Sequence, residues 1–122
     1  MHWKRKLPLT SHVIELTEDS GIGPELKCPR CRGNYLHHGR VIVFDRGEDD
    51  QLTAVTTVDS GLSATHIRPS AEVANPSDRR DGIAIAFWCE GCNGSLELTL
   101  AQHKGNTALA WRFEPAQPQK QT

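Results

Sequence analysis

Apolar and polar residues alternate with a period of two over much of the chain's second half. Ile83, Ile85 and Phe87 alternate with Ala84, Ala86 and Trp88, and the run ends at Cys89. Leu96, Leu98 and Leu100 alternate with Glu97, Thr99 and Ala101, and beyond the turn residues His103-Lys104-Gly105-Asn106 the same spacing returns at Leu109, Trp111 and Phe113. Successive side chains of a strand point to opposite faces, so this spacing predicts strands. It predicts a hairpin whose apolar face is Leu96, Leu98, Leu100, Leu109, Trp111 and Phe113. Upstream, Arg40–Phe44 is rich in β-branched and aromatic residues, and Leu52–Val58 could fold back on it across the turn at Gly47–Asp50. Val13–Leu16 is a shorter strand candidate.

The remaining segments carry little period. Residues 1–12 read as an arm, and Thr17–Pro24 as a loop. Residues 59–82 read as a loop-rich excursion, partly disordered, with a turn at Asn75–Asp78. Residues 115–122 read as a disordered polar tail. No segment longer than ~8 residues shows a helical period, so little helix is expected. The organisation predicted is an arm and loop over 1–24, one β domain over 25–114 with its insertion at 59–82, and the tail. The domain is mainly β, with a small antiparallel sheet of three to five strands.

Size and composition narrow the class. The 122 residues (13.5 kDa) make one domain. Such a chain buries roughly 65% of its unfolded surface, which allows a thin core. Mean hydropathy is −0.51 and charged residues are 24%, which excludes collagen-like and highly charged disordered chains. No apolar run approaches the ~20 residues of a membrane helix. The N-terminus has basic residues but no apolar stretch of signal-peptide length, so the expected compartment is the cytoplasm, where thiols stay reduced.

The four cysteines fall in two identical spacings, Cys28-Pro29-Arg30-Cys31 and Cys89-Glu90-Gly91-Cys92, each with a glycine two residues further on, Gly33 and Gly94. Each turn sets two sulfurs on one side of a tight loop. Two such turns facing each other make a tetrahedral four-thiolate site for Zn²⁺, at ~2.3 Å per bond. Proline fixes φ on entry to the first turn, and the glycines are free to take positive φ on exit. A redox site would need a βαβ context and leaves the second pair unexplained; two disulfides are the other alternative. The long excursion between the pairs is compatible with one site, because loop closure cost grows only logarithmically. Such a thin sheet is expected to depend on its metal, and chelation to unfold at least the clamped part.

The knuckles Cys28-Pro29-Arg30-Cys31-Arg32-Gly33 and Cys89-Glu90-Gly91-Cys92-Asn93-Gly94 resemble those of zinc-ribbon proteins. With Tyr35–Arg40, Phe87–Cys92 and Gln102–Asn106, the wider text is similar to small uncharacterised zinc-ribbon proteins of bacteria and their phages or prophages. The resemblance covers mainly 26–44 and 83–113. It implies a zinc-ribbon-like sheet clamped by the four-cysteine zinc, with a long loop-rich insertion between the knuckles. Ribbons serve as nucleic-acid binders, protein-docking modules and structural inserts, so fold alone does not assign function.

Fourteen Lys and Arg against fifteen Asp and Glu give a formal charge of −1, with no global basic excess. The charge is nevertheless uneven. Arg30, Arg32 and Arg40 near the first knuckle are the candidate nucleic-acid contacts, helped by Lys4–Lys6 and by stacking on Tyr35 or Trp88. Lys27, Arg30 and Arg32 equally suit compensation of the site's negative charge. For a protein partner, the acidic Glu48–Asp50 turn, the 59–82 loop and an exposed edge at 52–58 are the candidate surfaces. His37 and His38 point to opposite faces if they lie on a strand, so both cannot face one metal. Four cysteines close the metal shell, and no H-E-x-x-H, phosphate loop, deaminase pattern or nucleophile elbow is present. A non-enzymatic zinc module is therefore expected. It would bind nucleic acid or protein, or act as a phage-encoded adaptor docking a host protein, with no small-molecule substrate and no membrane association.

Overall fold

The computed structural model describes residues 6–18 and 21–115. Among these, seven strands form one open antiparallel sheet: β1 Leu9–Ser11, β2 Leu36–Asp45, β3 Leu52–Asp59, β4 Leu62–Pro69, β5 Gly82–Cys89, β6 Ser95–His103 and β7 Asn106–Phe113. Their order is β1-β7-β6-β5-β2-β3-β4. The only helical element among the described residues is a 3-10 turn at Ser70–Glu72. The chain is mainly β, as its alternation predicts. No described helix is long and apolar enough to cross a membrane.

Two tight turns set the hairpins. Lys104 (φ 48°) and Gly105 (φ 85°) join β6 to β7, and Ser60 (φ 52°) and Gly61 (φ 81°) join β3 to β4. Two consecutive left-handed residues suit the right-handed twist of the strands they connect. The β3–β4 hairpin runs in register from Leu52↔Pro69 to Asp59↔Leu62. The excursion therefore begins as sheet, not loop. Leu62–Pro69 (LSATHIRP) escapes a search for alternation because both of its faces carry polar residues. This also corrects the expected edge: β3 is covered by β4, and β4 is the outer strand. At the opposite edge the arm supplies β1, which pairs Leu9↔Phe113 through Ser11↔Trp111. Val13–Leu16 contributes only a bridge, Leu16↔Leu26. The sheet thus exceeds the three to five strands expected. Lys4, Arg5 and tail residues 116–122 lie outside the described residues.

Burial changes sides along this sheet. We call front the face that carries Cys89, Phe87, Leu96 and Trp111. At the knuckle end the core lies in front, with Cys28, Cys89, Leu96 and Trp111 at its centre and Ile14, Leu26, Leu36 and Phe87 packed around them. At the other end it lies behind, where Ile42, Phe44, Val55 and Ala84 gather with Val73. A bulge in β2 makes the two sets compatible. One extra residue enters between His38↔Phe87 and Val41↔Ile85, so Val41 returns to the front and Ile42 and Phe44 fall behind.

The back core is covered by residues 70–81, which cross the sheet as a strap. Ser77 Oγ donates to Gln102 O at 2.8 Å, and Ser70 Oγ lies 2.7 Å from Thr53 Oγ1. Asn75 Oδ1 accepts from Ser77 N at 3.0 Å, the turn predicted at Asn75–Asp78. Under the strap Arg112 and Glu97, cross-strand neighbours, form an ion pair at 3.1 Å with side chains only 4% and 8% exposed. Arg112 Nη1 also donates to Ala74 O at 2.9 Å. The alternation of Glu97 and Arg112 with apolar residues predicts a solvent face, whereas the strap buries it.

The strap also claims the acidic turn. Arg79 donates to Asp49 at 2.8 and 2.6 Å, Arg80 pairs with Glu48 at 3.1 Å, and Arg46 donates to Asp78 O and Asp50 O. Glu48–Asp50, expected as a free charged surface, is an anchor for the strap.

Candidate metal centre

Two knuckles bring the cysteines together. The second is the direct continuation of β5, which ends at Cys89. The first is delivered by residues 14–18 and 21–27, where Thr17 N donates to Glu25 O and Lys27 N to Glu15 O. Leu26 and Leu36, on either side of the first knuckle, pack into the front core. The two turns share a backbone pattern. Arg32 N donates to Cys28 O at 2.9 Å, and Asn93 N to Cys89 O at 3.0 Å. The left-handed residue in each is the one directly after the second cysteine, Arg32 (φ 65°) and Asn93 (φ 53°). Glycine was expected to fill that role. Gly94 is at φ 144°, but Gly33 is not in the left-handed region. Asparagine tolerates this conformation, whereas arginine adopts it at a cost of roughly 1 kcal/mol.

The four sulfurs of Cys28, Cys31, Cys89 and Cys92 all lie within 4.8 Å of one another. Cys28 Sγ is 3.7 Å from Cys92 Sγ, and Cys31 Sγ is 3.6 Å from Cys89 Sγ. Zinc bonds of ~2.3 Å give a tetrahedron with edges of about 3.8 Å. Both contacts fit that edge and far exceed the ~2.05 Å of a disulfide. All four cysteines are free. The cluster can hold a metal ion, and its four thiols suit zinc. Neither His37 nor His38 belongs to it.

Backbone donors prepare the sulfurs for charge. Arg30 N donates to Cys28 Sγ and Gly33 N to Cys31 Sγ, both at 3.4 Å. At Cys89 burial acts to raise the pKa, but the N–H groups of Cys92 and Gly91 and the Cys31 sulfur outweigh it and the value falls. Cys28 is shifted upward by burial. Cys92 is pushed up to about 12 by burial and then by the Cys28 and Cys89 sulfurs. Four thiolates this close repel one another, and a bound dication removes that penalty.

The arginines separate into different roles. Arg30 Nη1 donates to Asn93 O at 3.2 Å and so ties one knuckle to the other. Arg32 pairs with Glu15 at 3.5 Å, and Lys27 lies 4.0 Å from the same carboxylate. Arg40 sits at the β2 bulge and lines a pocket of about 290 Å³ with Leu7, Trp88 and Gly94. His37 and His38 do face opposite sides. His37 Nε2 meets Glu90 Oε1 at 2.5 Å beside the Trp88 ring, and His38 lies edge-on to Phe87 in front. Trp88 Nε1 donates to Asn93 Oδ1 at 2.7 Å.

Gly91 was not singled out from sequence, yet it touches the site most closely. A Cβ there would lie 3.3 Å from Cys31 Sγ and 3.7 Å from Cys89 Sγ. Its signal is its place inside a C-x-x-C turn, where the facing knuckle's sulfur must approach the backbone. No family model, curated protein or solved structure matches the chain.

Proposed function

We propose that the chain is a non-enzymatic zinc module of the cytoplasm in which Cys28, Cys31, Cys89 and Cys92 hold one structural Zn²⁺, and that it works by docking a protein partner. The four-sulfur cluster carries this conclusion. Four thiol donors are enough to fill a tetrahedral shell, which supports a structural rather than a catalytic site. The kinship proposed with zinc ribbons rests on the two knuckles and extends to the clamp, not to the seven-stranded sheet.

Protein is favoured over nucleic acid because the basic cluster is already committed. Arg30 binds a carbonyl of the opposite knuckle, and Arg32 and Lys27 face Glu15. The outer knuckle surface presents Tyr35, His37, Trp88 and Glu90, a mixed aromatic and acidic surface that suits a protein better than a phosphate backbone. One observation favours the second possibility: Arg40 and the half-exposed Trp88 border one pocket, a cation beside a stacking platform.

Elemental analysis of reduced, full-length protein tests the metal, with one zinc per chain expected. A mobility assay with single- and double-stranded oligonucleotides across a salt series tests the partner class. Protein docking predicts no salt-dependent complex. Steeply salt-dependent binding, lost in Arg40→Ala, would establish the nucleic-acid function instead.

A further inference from the structure

An open sheet has two outer strands, and the two here differ. β1 is three residues long, which leaves little backbone for another strand to pair with. β4 is eight residues long and pairs with β3 in unbroken register, with no bulge and no lysine. Among the described residues no strand lies on its other side.

The hairpin turn fixes which backbone groups of β4 point outward. Ser60 and Gly61 form a two-residue turn with both residues left-handed. Asp59 and Leu62 then exchange hydrogen bonds, and every second residue of β4 does the same with β3. Ser70 N donates to Gln51 O at 2.7 Å, which continues that phase past the end of the strand. Leu62, Ala64, His66 and Arg68 therefore turn their N–H and C=O groups inward. Ser63, Thr65 and Ile67 turn theirs outward, and all three residues are exposed. Pro69 falls at an outward position, where a missing N–H takes nothing from the ladder. The outward groups of such an edge are a template for another strand.

The side chains beside the edge define what that strand should carry. In front, Ile67 is 60% exposed beside Ala54. Behind, β4 carries His66 and Arg68 and no acid. At the hairpin end Arg40, Thr57, Asp59, Leu62 and Ala64 line an open cavity of about 550 Å³. Arg40 Nε is buried and makes no hydrogen bond among the described residues. Asp59 is the single acid among the residues of β4 and of this cavity. A second β4 would bring further bases and no acid, so charge selects a different chain.

We propose that the β4 edge takes up an extended segment of a partner protein as an eighth strand, antiparallel like the rest of the sheet. The segment carries acidic side chains behind, over His66 and Arg68, and a large apolar one over Leu62 and Ala64. In front it carries β-branched residues beside Ile67. This names a contact for the protein-docking reading and rests on it. Main-chain bonds to Ser63, Thr65 and Ile67 supply the attachment, and the alternate side chains supply the choice of partner.

Amide NMR of the zinc-loaded full chain, titrated with a capped synthetic strand Glu-Val-Glu-Thr-Leu-Val-Leu, tests this. Saturable binding is expected, with hydrogen exchange at Ser63, Thr65 and Ile67 slowed by about tenfold or more. The same strand with Lys for both Glu should bind roughly tenfold more weakly. A strand N-methylated at its Val and Thr residues should not bind, because those N–H groups face the edge. The protein stays unmodified in every arm. No shift along β4 at millimolar peptide, or equal binding of the N-methylated strand, overturns the proposal. Equal binding of the Lys strand overturns its acidic assignment. Slow exchange at Ser63, Thr65 and Ile67 in the free chain also overturns it. The edge would then be taken by the chain itself, or by a second copy if the protection grows with concentration. Shifts confined to Tyr35, His37 and Trp88 would overturn the edge and keep the protein-docking reading. That reading fails separately, by salt-dependent oligonucleotide binding in the mobility assay.

Discussion

The two ends of the sheet solve one problem in opposite ways. At the knuckle end the core lies in front, and its lid, residues 14–18 and 21–36, meets the sheet at the cluster of Cys28 and Cys31 with Cys89 and Cys92, the metal site proposed above. At the far end the core lies behind, and its lid is the strap 70–81, pinned by ordinary hydrogen bonds and ion pairs to the Glu48–Asp50 turn and to Gln102. One lid brings together four sulfurs that a cation would neutralise, and the other carries its own cations in Arg79 and Arg80 and accepts a hydrogen bond from Arg46. The β2 bulge lets one continuous sheet serve both. If the cluster holds zinc as proposed, dependence on the metal should be confined to half the molecule.

The largest expected effect comes from breaking the first lid. Structural zinc contributes on the order of 10 kcal/mol apparent. Cys89→Ser should release the knuckles and collapse the front core while secondary structure around Phe44 and Val55 persists. Circular dichroism should thus show partial rather than complete loss of strand signal. Phe44→Ala attacks the other end. Phe44 is 1% exposed, and its truncation should cost about 3–5 kcal/mol, read as a lower denaturant midpoint with zinc content unchanged.

Glu97→Ala sits between the two ends. It strands Arg112, which is buried under the strap at 3% exposure, and should cost roughly 3–5 kcal/mol in the same denaturation assay. Replacing Glu97 and Arg112 together by Met and Leu should recover much of that loss, because a buried pair adds little over a well-packed apolar one. Arg32→Gly should have a small effect of opposite sign. It relieves the left-handed arginine of the first knuckle, and stability should rise by roughly 1 kcal/mol, while zinc affinity holds. The ion pair lost with it, Arg32–Glu15, is exposed and weak.

The smallest effect tests how the strap is anchored. The Arg79 hydrogen bond holds the Asp49 carboxyl below the usual carboxylate range. A lowered folded pKa stabilises above the unfolded value and is lost as pH falls through the folded one. The stability gap between the natural chain and Asp49→Asn should therefore be fully present above the ordinary carboxylate pKa of about 4 and shrink as pH falls below it. Asp49 is exposed, so the change should be slight and should fade in high salt.

The knuckle end was the more legible in sequence, for physical reasons. Identical C-x-x-C spacings specify geometry by themselves, and the strand alternation of 83–89, 96–101 and 108–113 is clean because one face meets a lid there. The far end was obscured for the converse reason. β4 has polar residues on both faces, so period two does not reveal it, although Ser60-Gly61 marks its hairpin. The strap has no period at all, since it is held by side chains such as Ser77 and Arg79 that read as loop composition. The apolar face of the β6–β7 hairpin was correctly read as one face. That it is buried at Leu96 and Trp111 but bare at Leu109 depends on where the lids end, which is a tertiary fact. The arginines beside the first knuckle have the composition of a phosphate site, and only their partners, Asn93 and Glu15, show two of them turned to structural use.

Segment-resolved hydrogen exchange, with zinc and after chelation, tests most directly that the two halves rest on different supports. The expected result is loss of protection in residues 14–18 and 21–36 and in the strand ends around Cys89, Leu96 and Trp111. Protection should persist in β2 and β3 around Phe44 and Val55 and in the strap that covers them. Uniform loss across all seven strands, or no change anywhere, would contradict the division of the sheet into a metal-held half and a strap-held half.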